Sequence, residues 1–239
     1  MLKMFEYDEI TKRYNEKADK YDKYCNKANT GYGHIEKMRR ECVFSLISRK
    51  GKLLEVGCGT GYYLERLTQN ECFGIDISKE MLKQCKSKSV ERVFLGNINH
   101  LMFRDKNFDI ILCVNTFQYL PYPTKALTEM SRVLKDNGEI ILTSENWLTP
   151  RVIPHYIYKV LQKREFFGKR YTLFYLKKMF DTAGLRISDI KGFNFLLCRS
   201  NHKYINKKIL NAFGNIERNI RSTSLKYFAN EFAIRLTKE

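Results

Sequence analysis

The sequence predicts an α/β protein. It reads as a doubly wound, mostly parallel sheet with a helical cap before it, helical additions after it and a final antiparallel edge strand. Three observations predict this class. Short apolar runs alternate with amphipathic stretches over residues 50–145, the pattern of βαβ units. Three glycines at alternate positions, Gly57, Gly59 and Gly61, stand between the first apolar run and the amphipathic stretch after it. The length, 239 residues, suits one domain with appendages. A chain of that size buries about 70% of the surface its unfolded form exposes, so it needs no disulfide or metal staple.

Residues 1–34 form the cap. Tyr7, Tyr14, Tyr21 and Tyr24 recur at near-heptad intervals among charged residues, which predicts one or two helices with a wet face. The core occupies residues 35–146 and opens with Ile35, Met38, Cys42 and Leu46 at helical spacing before Lys50-Gly51. Strands are predicted at Lys52–Val56, Cys72–Ile75, Arg92–Leu95, Phe108–Val114 and Glu139–Thr143. Helices are predicted between them at Gly61–Thr68, Ser78–Cys85 and Lys125–Leu134. Ser78 suits a helix N-cap, and Asp136-Asn137-Gly138 a turn before the fifth strand. Residues 147–239 belong to the same domain, completing the sheet and carrying substrate-recognition helices. They read as an amphipathic Pro154–Glu165, a helix Leu173–Ala183 stopped by Gly184, and a sixth strand Arg186–Gly192. A helical stripe of Ile205, Ile209, Leu210, Phe213, Ile216 and Ile220 follows, and then an alternating Phe228–Leu236.

Composition sets bounds. Hydrophobic residues at 44% and charged residues at 29% exclude a disordered or fibrous chain. No apolar run nears the ~20 residues of a membrane span, and the mixed, acidic start MLKMFEYDEI is not a secretory signal. Seven cysteines without a CxxC pair or a Cys/His cluster predict a reduced, cytoplasmic protein without a metal site. The net charge of +17 is unevenly placed. Residues 1–146 hold 24 basic and 20 acidic side chains, whereas residues 147–239 hold 19 and 6, a net of +13. Two explanations stand: compositional drift toward lysine, or an anionic partner or substrate.

The most specific segment is Leu53–Leu64, LLEVGCGTGYYL. Its glycines follow a buried strand, where a doubly wound sheet lets backbone approach a nucleotide. The spacing is GxGxG rather than the GxGxxG of dinucleotide folds, which disfavours NAD. With these residues the chain resembles the class I S-adenosylmethionine-dependent methyltransferases, of the small-molecule type that includes the ubiquinone and menaquinone methylases. The resemblance covers about residues 35–192 and implies the Rossmann-like methyltransferase fold with S-adenosylmethionine as cofactor and S-adenosylhomocysteine as its product. It implies that Gly57 and Gly59 approach the methionine portion and that Glu55 helps hold its amino group. Asp76, in FGIDIS, would grip the ribose hydroxyls as a carboxylate accepting two hydrogen bonds. Met81 would stack on adenine. Asn97, where the family usually has an acid, would meet the adenine amino group beside Ile98, and Asn115 would contact the methionine portion. Cys58 and Ile77 fall within the same two motifs and are counted with the site. The segment VLKDNGEIILT also matches the family.

For catalysis the sequence is thinner. Methyl transfer from a sulfonium is an in-line displacement that the protein mainly aligns, and a base is needed only if the nucleophile must lose a proton. Glu145, His155 and His34 are the candidates near the expected mouth, and His100 reads as exposed. Tyr14 and Tyr21 read either as lids over the cofactor or as ordinary packing. A stripe of Arg151, His155, Lys159 and Lys163, with Lys169 and Arg170 nearby, would attract an anionic acceptor, an acidic carrier protein or an anionic membrane surface. The alternative is a solvated helix face. The expected activity is methyl transfer to a small-molecule or carrier-bound metabolite acceptor. An RNA methyltransferase is weighed against it on the charge, but no NPPY-like tetrapeptide follows the fourth strand. The third alternative is a non-catalytic methyltransferase-fold subunit.

Overall fold

The computed structural model describes residues 6–26, 29–88, 90–150, 152, 168–195 and 205–239. Seven strands form one sheet: β1 Lys52–Val56, β2 Glu71–Asp76, β3 Val93–Leu95, β4 Phe108–Cys113, β5 Leu134–Glu145, β6 Leu185–Phe193 and β7 Glu231–Lys238. Their order is β3-β2-β1-β4-β5-β7-β6. The first five pair in parallel, while β7 runs antiparallel to both β5 and β6. The closing strand is antiparallel, as the sequence predicts, but it is not the edge: β7 pairs on both sides, between β5 and β6, and β6 forms the edge.

The helices are α1 Tyr7–Cys25, α2 Gly31–Leu46, α3 Lys79–Lys86, α4 Pro123–Val133, α5 Leu173–Thr182 and α6 Lys207–Ile220. Consecutive strand residues face opposite sides of the sheet, and β1 shows the division. Leu54 joins a core with Leu127 and Met130 of α4 and Phe180 of α5. Leu53 joins a second core with Val43 and Leu46 of α2 and Leu82 of α3. A helix face on each side is what lets the central strands be apolar throughout.

Two expectations are modified. The helix predicted over Gly61–Thr68 is reduced to one 3-10 turn, Leu64–Arg66. Gly61 has φ +73, outside the helical region, and Asn70 N–H closes a three-residue turn on the Leu67 carbonyl at 2.9 Å instead of continuing helical pairing. The Asp136-Asn137-Gly138 turn lies inside β5, where pairing jumps from Phe108↔Leu134 to Ile110↔Glu139, so the turn is an irregularity of the strand. The stretch Pro154–Glu165 and the stripe of Arg151, His155, Lys159 and Lys163 lie outside the described residues. No helix among the described residues is long and apolar enough to cross a membrane.

Candidate functional site

The site forms at the carboxyl end of β1, where Gly57, Gly59 and Gly61 all take positive φ. The N–H groups of Gly57 and Cys58 both donate to the Ile75 carbonyl of the neighbouring strand, at 2.7 and 3.1 Å. Gly57 has φ +71, and a Cβ there would lie 2.4 Å from Thr116 Oγ1, so no side chain fits between the two loops. Gly59 has φ +52 and the opposite surroundings. Its nearest neighbour to a built Cβ is Met81 Sδ at 4.0 Å, so this residue leaves backbone open to the space above it.

Asp76, at the end of β2, braces that loop. Its Oδ2 accepts from Gly59 N–H and its Oδ1 from Ser78 N–H, both at 2.8 Å. Ser78 in turn caps α3 by accepting from Met81 N–H at 3.1 Å. Burial pushes the Asp76 carboxyl upward, opposed by hydrogen bonds from the backbone N–H groups of Ser78, Gly59 and Ile77. One carboxylate thus ties the glycine loop to α3.

Above the loop is a cleft of about 710 Å³, counted with its open part, whose floor includes Gly57, Gly59, Asp76, Ile77, Met81, Asn97, Ile98 and Asn115. The facing wall is α1, which contributes Tyr7, Ile10, Tyr14 and Tyr21. The spacing of three, four and seven residues puts these four on one helical face. The edge of α1 is fastened to the floor: Asn15 Oδ1 accepts from the Ser78 hydroxyl at 2.6 Å, Asp19 from the Gln84 amide at 3.0 Å, and Asp22 from the Thr60 hydroxyl. Across the cleft, the Tyr14 ring meets Tyr119 edge-on with centroids 5.8 Å apart. Burial pushes the Tyr7 phenol up to about 12 and raises Tyr14, Tyr21 and Tyr119 above the usual tyrosine value. These hydroxyls stay protonated at neutral pH.

Nine of the residues expected in the site line this cleft: Tyr21, Gly57, Gly59, Asp76, Ile77, Met81, Asn97, Ile98 and Asn115. Asn97 has its Oδ1 engaged, accepting from Asn99 N–H at 2.9 Å. Asn115 takes φ +52, donates its N–H to Thr143 Oγ1 at 2.8 Å, and accepts from Gln118 Nε2 at 2.7 Å.

Other expectations come out differently. Cys58 does not line the cleft: its sulfur fills the space over Gly74, 2.7 Å from where a Cβ would sit, and its N–H is spent on Ile75. Glu55 is buried beneath the floor, and among the described residues its Oε2 has no hydrogen-bond partner. Burial, with Cys85 and Asp76 adding to it, drives its carboxyl well upward. Glu145 pairs with Arg170 at 2.8 Å and is not part of the lining. His34 is buried between α2 and α6, its Nε2 3.7 Å from Glu217 Oε2, and does not line the cleft. His100 is exposed, as expected; His155 lies outside the described residues. Lys169 donates to the carbonyls of Leu120 and Pro121, each at 3.0 Å, so both it and Arg170 hold loops together. Tyr7, Ile10, Tyr119 and Leu120 also line the cleft, beyond the residues to which the sequence points. The heptad of tyrosines carried a signal for Tyr7, completed by Ile10; for Tyr119 no sequence signal existed. Among the described residues no cluster of three or more His, Cys, Asp or Glu could hold a metal ion.

Residues 54–142 match the methyltransferase domain family. An uncharacterised protein of Methanocaldococcus jannaschii is 36% identical over 140 residues, 57% of this chain and 52% of that protein. The ubiquinone biosynthesis O-methyltransferase of Coxiella burnetii is 26% identical over 67% of this chain and 75% of its own. The chain spans 40%, 52% and 57% of three M. jannaschii relatives, about half their length. Among solved structures, a Thermotoga maritima S-adenosylmethionine-dependent methyltransferase, described as a possible histamine N-methyltransferase, superposes with a TM-score of 0.70. That match covers 95% of this chain and 98% of the other at 19% identity, and it shows the shared fold. The chain thus carries a methyltransferase domain over residues 54–142 and, with the glycine loop, Asp76 and sheet order already described, has the fold of the S-adenosylmethionine-dependent methyltransferases.

Proposed function

We propose that the protein transfers a methyl group from S-adenosylmethionine to a small-molecule or carrier-bound metabolite acceptor, anionic in character. The observation that carries this reading is the cleft, in which the open backbone of Gly59 and the carboxylate of Asp76 face a wall of tyrosines.

The residues fit the cofactor chemically. Asp76 keeps acceptor capacity beyond the backbone N–H groups it already receives, which suits a ribose hydroxyl. Met81, Ile77 and Ile98 give apolar surface for a base. The unpartnered Glu55 Oε2 beneath the glycine loop suits an ammonium group, which would relieve its buried charge. When bound, the cofactor supplies an electrophilic methyl on a sulfonium. The chain's part is then to position and to exclude water. The electron-rich ring faces of Tyr14, Tyr21 and Tyr119 favour a cation in the cleft, and α1 closes over it. Asp76 is the lining carboxylate, and its place is on the ribose side. The cleft tyrosines, held protonated by burial, donate hydrogen bonds and orient an acceptor that arrives already nucleophilic. The charge excess of residues 147–239, 19 basic against 6 acidic, supports an anionic acceptor.

Calorimetry with S-adenosylhomocysteine and NAD tests the cofactor, and methyl transfer to a panel of anionic metabolites, carrier-bound acids and RNA tests the acceptor. Binding of S-adenosylhomocysteine but not NAD is expected, with turnover on a metabolite or a carrier. Preference for NAD, or turnover on RNA alone, overturns the reading.

A further inference from the structure

The helix α6 is amphipathic in sequence, yet only part of its apolar surface is covered. Leu210, Gly214 and Glu217 face the protein. Ile209, Phe213 and Ile216, at spacings of four and three, form a second stripe that is 51%, 41% and 55% exposed. The 3-10 turn after it, Ser224–Phe228, adds Leu225, Tyr227 and Phe228, the last 60% exposed. Asn146 extends this surface: its Nδ2 donates to the carbonyls of Leu148, Tyr227 and Ala229, which fixes exposed Trp147 and Leu148 beside the turn. Of the fifteen large apolar side chains exposed among the described residues, these account for eight. Isolated exposed apolar residues need no explanation, but a concentration of this kind marks a surface that is covered in use.

The charge around it says by what. Lys207 and Lys208 begin α6 and Lys226 lies in the following turn, and no ion pair among the described residues involves any of them. The remaining arc of α6 carries Asn211, Asn215 and Asn219, uncharged and exposed. Its lone acid, Glu217, is buried, accepting from the Phe195 N–H at 2.8 Å beside His34. A two-fold contact with a second copy would lay these lysines against their own kind. An anionic bilayer answers both features at once. The aliphatic and aromatic side chains enter the boundary between headgroups and acyl chains, and the lysines meet the phosphates. Trp147 and Tyr227 suit that boundary by having an apolar ring and a polar tip.

We propose that α6, the turn after it and the Trp147-Leu148 corner form a docking face for an anionic lipid surface, lying flat on the bilayer. The proposal does not depend on the reaction. The face lies at the carboxyl ends of β5 and β6, the end of the sheet that also holds the cleft, without sharing any residue with the cleft lining.

Co-sedimentation of the full chain with vesicles tests it, comparing phosphatidylcholine alone with an equal mixture of phosphatidylcholine and phosphatidylglycerol. The mixed vesicles are expected to retain the protein and the neutral ones to release it. Retention should weaken as salt rises from about 0.1 M to 1 M, because the screening length falls from about 10 Å to 3 Å. Lys207→Glu with Lys208→Glu and Lys226→Glu should lower partitioning at least about tenfold. Phe213→Ser with Ile209→Ser should lower it comparably at low salt. Both sets change exposed positions, so an unchanged melting temperature and S-adenosylhomocysteine affinity will show that the fold is intact. Absence of retention, equal retention on both vesicles, or variants that sediment like the parent overturn the proposal. So does a dimer in size-exclusion chromatography that Phe213→Ser abolishes while vesicles bind nothing, because the face would then belong to a second copy.

Discussion

Asp76→Asn separates two jobs that one side chain performs. The carboxylate accepts from Gly59 N–H and Ser78 N–H at 2.8 Å each, with one oxygen for each donor. Asparagine keeps the shape, but one of its two terminal groups is an amide NH2, which cannot accept. Whichever way the amide turns, either the Gly59 or the Ser78 N–H then loses its partner, and the surviving bond loses its charge. Hydrogen bonds to a charged group contribute about 1.5–3 kcal/mol each. Burial already disfavours the charged form at this position, which offsets part of that loss, so a net destabilisation of about 2 kcal/mol is expected. At about 2–4 °C per kcal/mol for a chain of this size, the ligand-free protein should melt about 4–8 °C lower. S-adenosylhomocysteine affinity, measured by calorimetry, should fall further, by about tenfold or more, through the lost ribose contact. The two readouts fail independently. An unchanged melting temperature would show that Asp76 does not brace the glycine loop, and an unchanged affinity would remove it from the ribose site.

Glu55→Gln should change the pH dependence of stability with a definite sign. Burial raises the Glu55 carboxyl well above its unfolded value, so its stabilising contribution is complete below that unfolded value and is lost as pH rises through the folded one. The variant should therefore gain on the parent between acidic and mildly basic pH in urea melts of the ligand-free protein, yet bind S-adenosylhomocysteine more weakly; a parallel pH profile would refute the assignment. Tyr14→Ala removes the edge-on contact with Tyr119, for which about 0.5–1.5 kcal/mol beyond area burial is expected. It should weaken cofactor binding and speed proteolysis within α1, and ligand protection of α1 equal to the parent's would argue against a lid. Arg39→Met strands Glu36 and Glu231, which Arg39 joins inside the protein, and should cost about 3–5 kcal/mol in denaturant melts. Adding Glu36→Gln and Glu231→Gln should recover much of that loss, and failure to recover would show that packing, not charge, is what Arg39 supplies.

The sequence was most legible where backbone geometry dictates residue type. The glycine turn, the acid ending β2 and the serine cap of α3 each follow from a local requirement, and Asp76 ties the turn to the cap beside one cleft. Periodicity served the strands well because the central ones are buried on both faces, so apolar runs marked them without ambiguity. It served less well at Gly61–Thr68, where apolar Tyr62, Tyr63, Leu64 and Leu67 have helical spacing. There the positive φ of Gly61 and the Asn70 N–H bond back to the Leu67 carbonyl interrupt the pattern. Long-range partners left no local trace. Glu145 ends a strand at the right end of the sheet, which makes it a candidate by position, but it pairs with Arg170, 25 positions along. Cys58 shares the glycine motif with cleft-lining neighbours, but its sulfur packs over Gly74 in the core, a contact no local pattern shows.

The tyrosine heptad shows how one pattern can carry two meanings. Read alone, Tyr7, Tyr14 and Tyr21 describe a helix with an aromatic face and say nothing of what it covers. The polar residues between them supply the rest. Asn15, Asp19 and Asp22 recur at three- and four-residue spacing on the adjoining face, and each reaches α3 or the glycine loop. Those same two elements are joined underneath by Asp76. The floor and the lid are therefore not independent. A displacement of α3 that breaks the Asp76 bonds also releases the Asn15 and Asp19 latches, and so moves the tyrosine wall. Ligand contacts at Asp76 would tighten both together. This gives the cap a physical reason to be built from a polar edge and an aromatic face. The edge senses the floor, and the face closes on whatever the floor has bound.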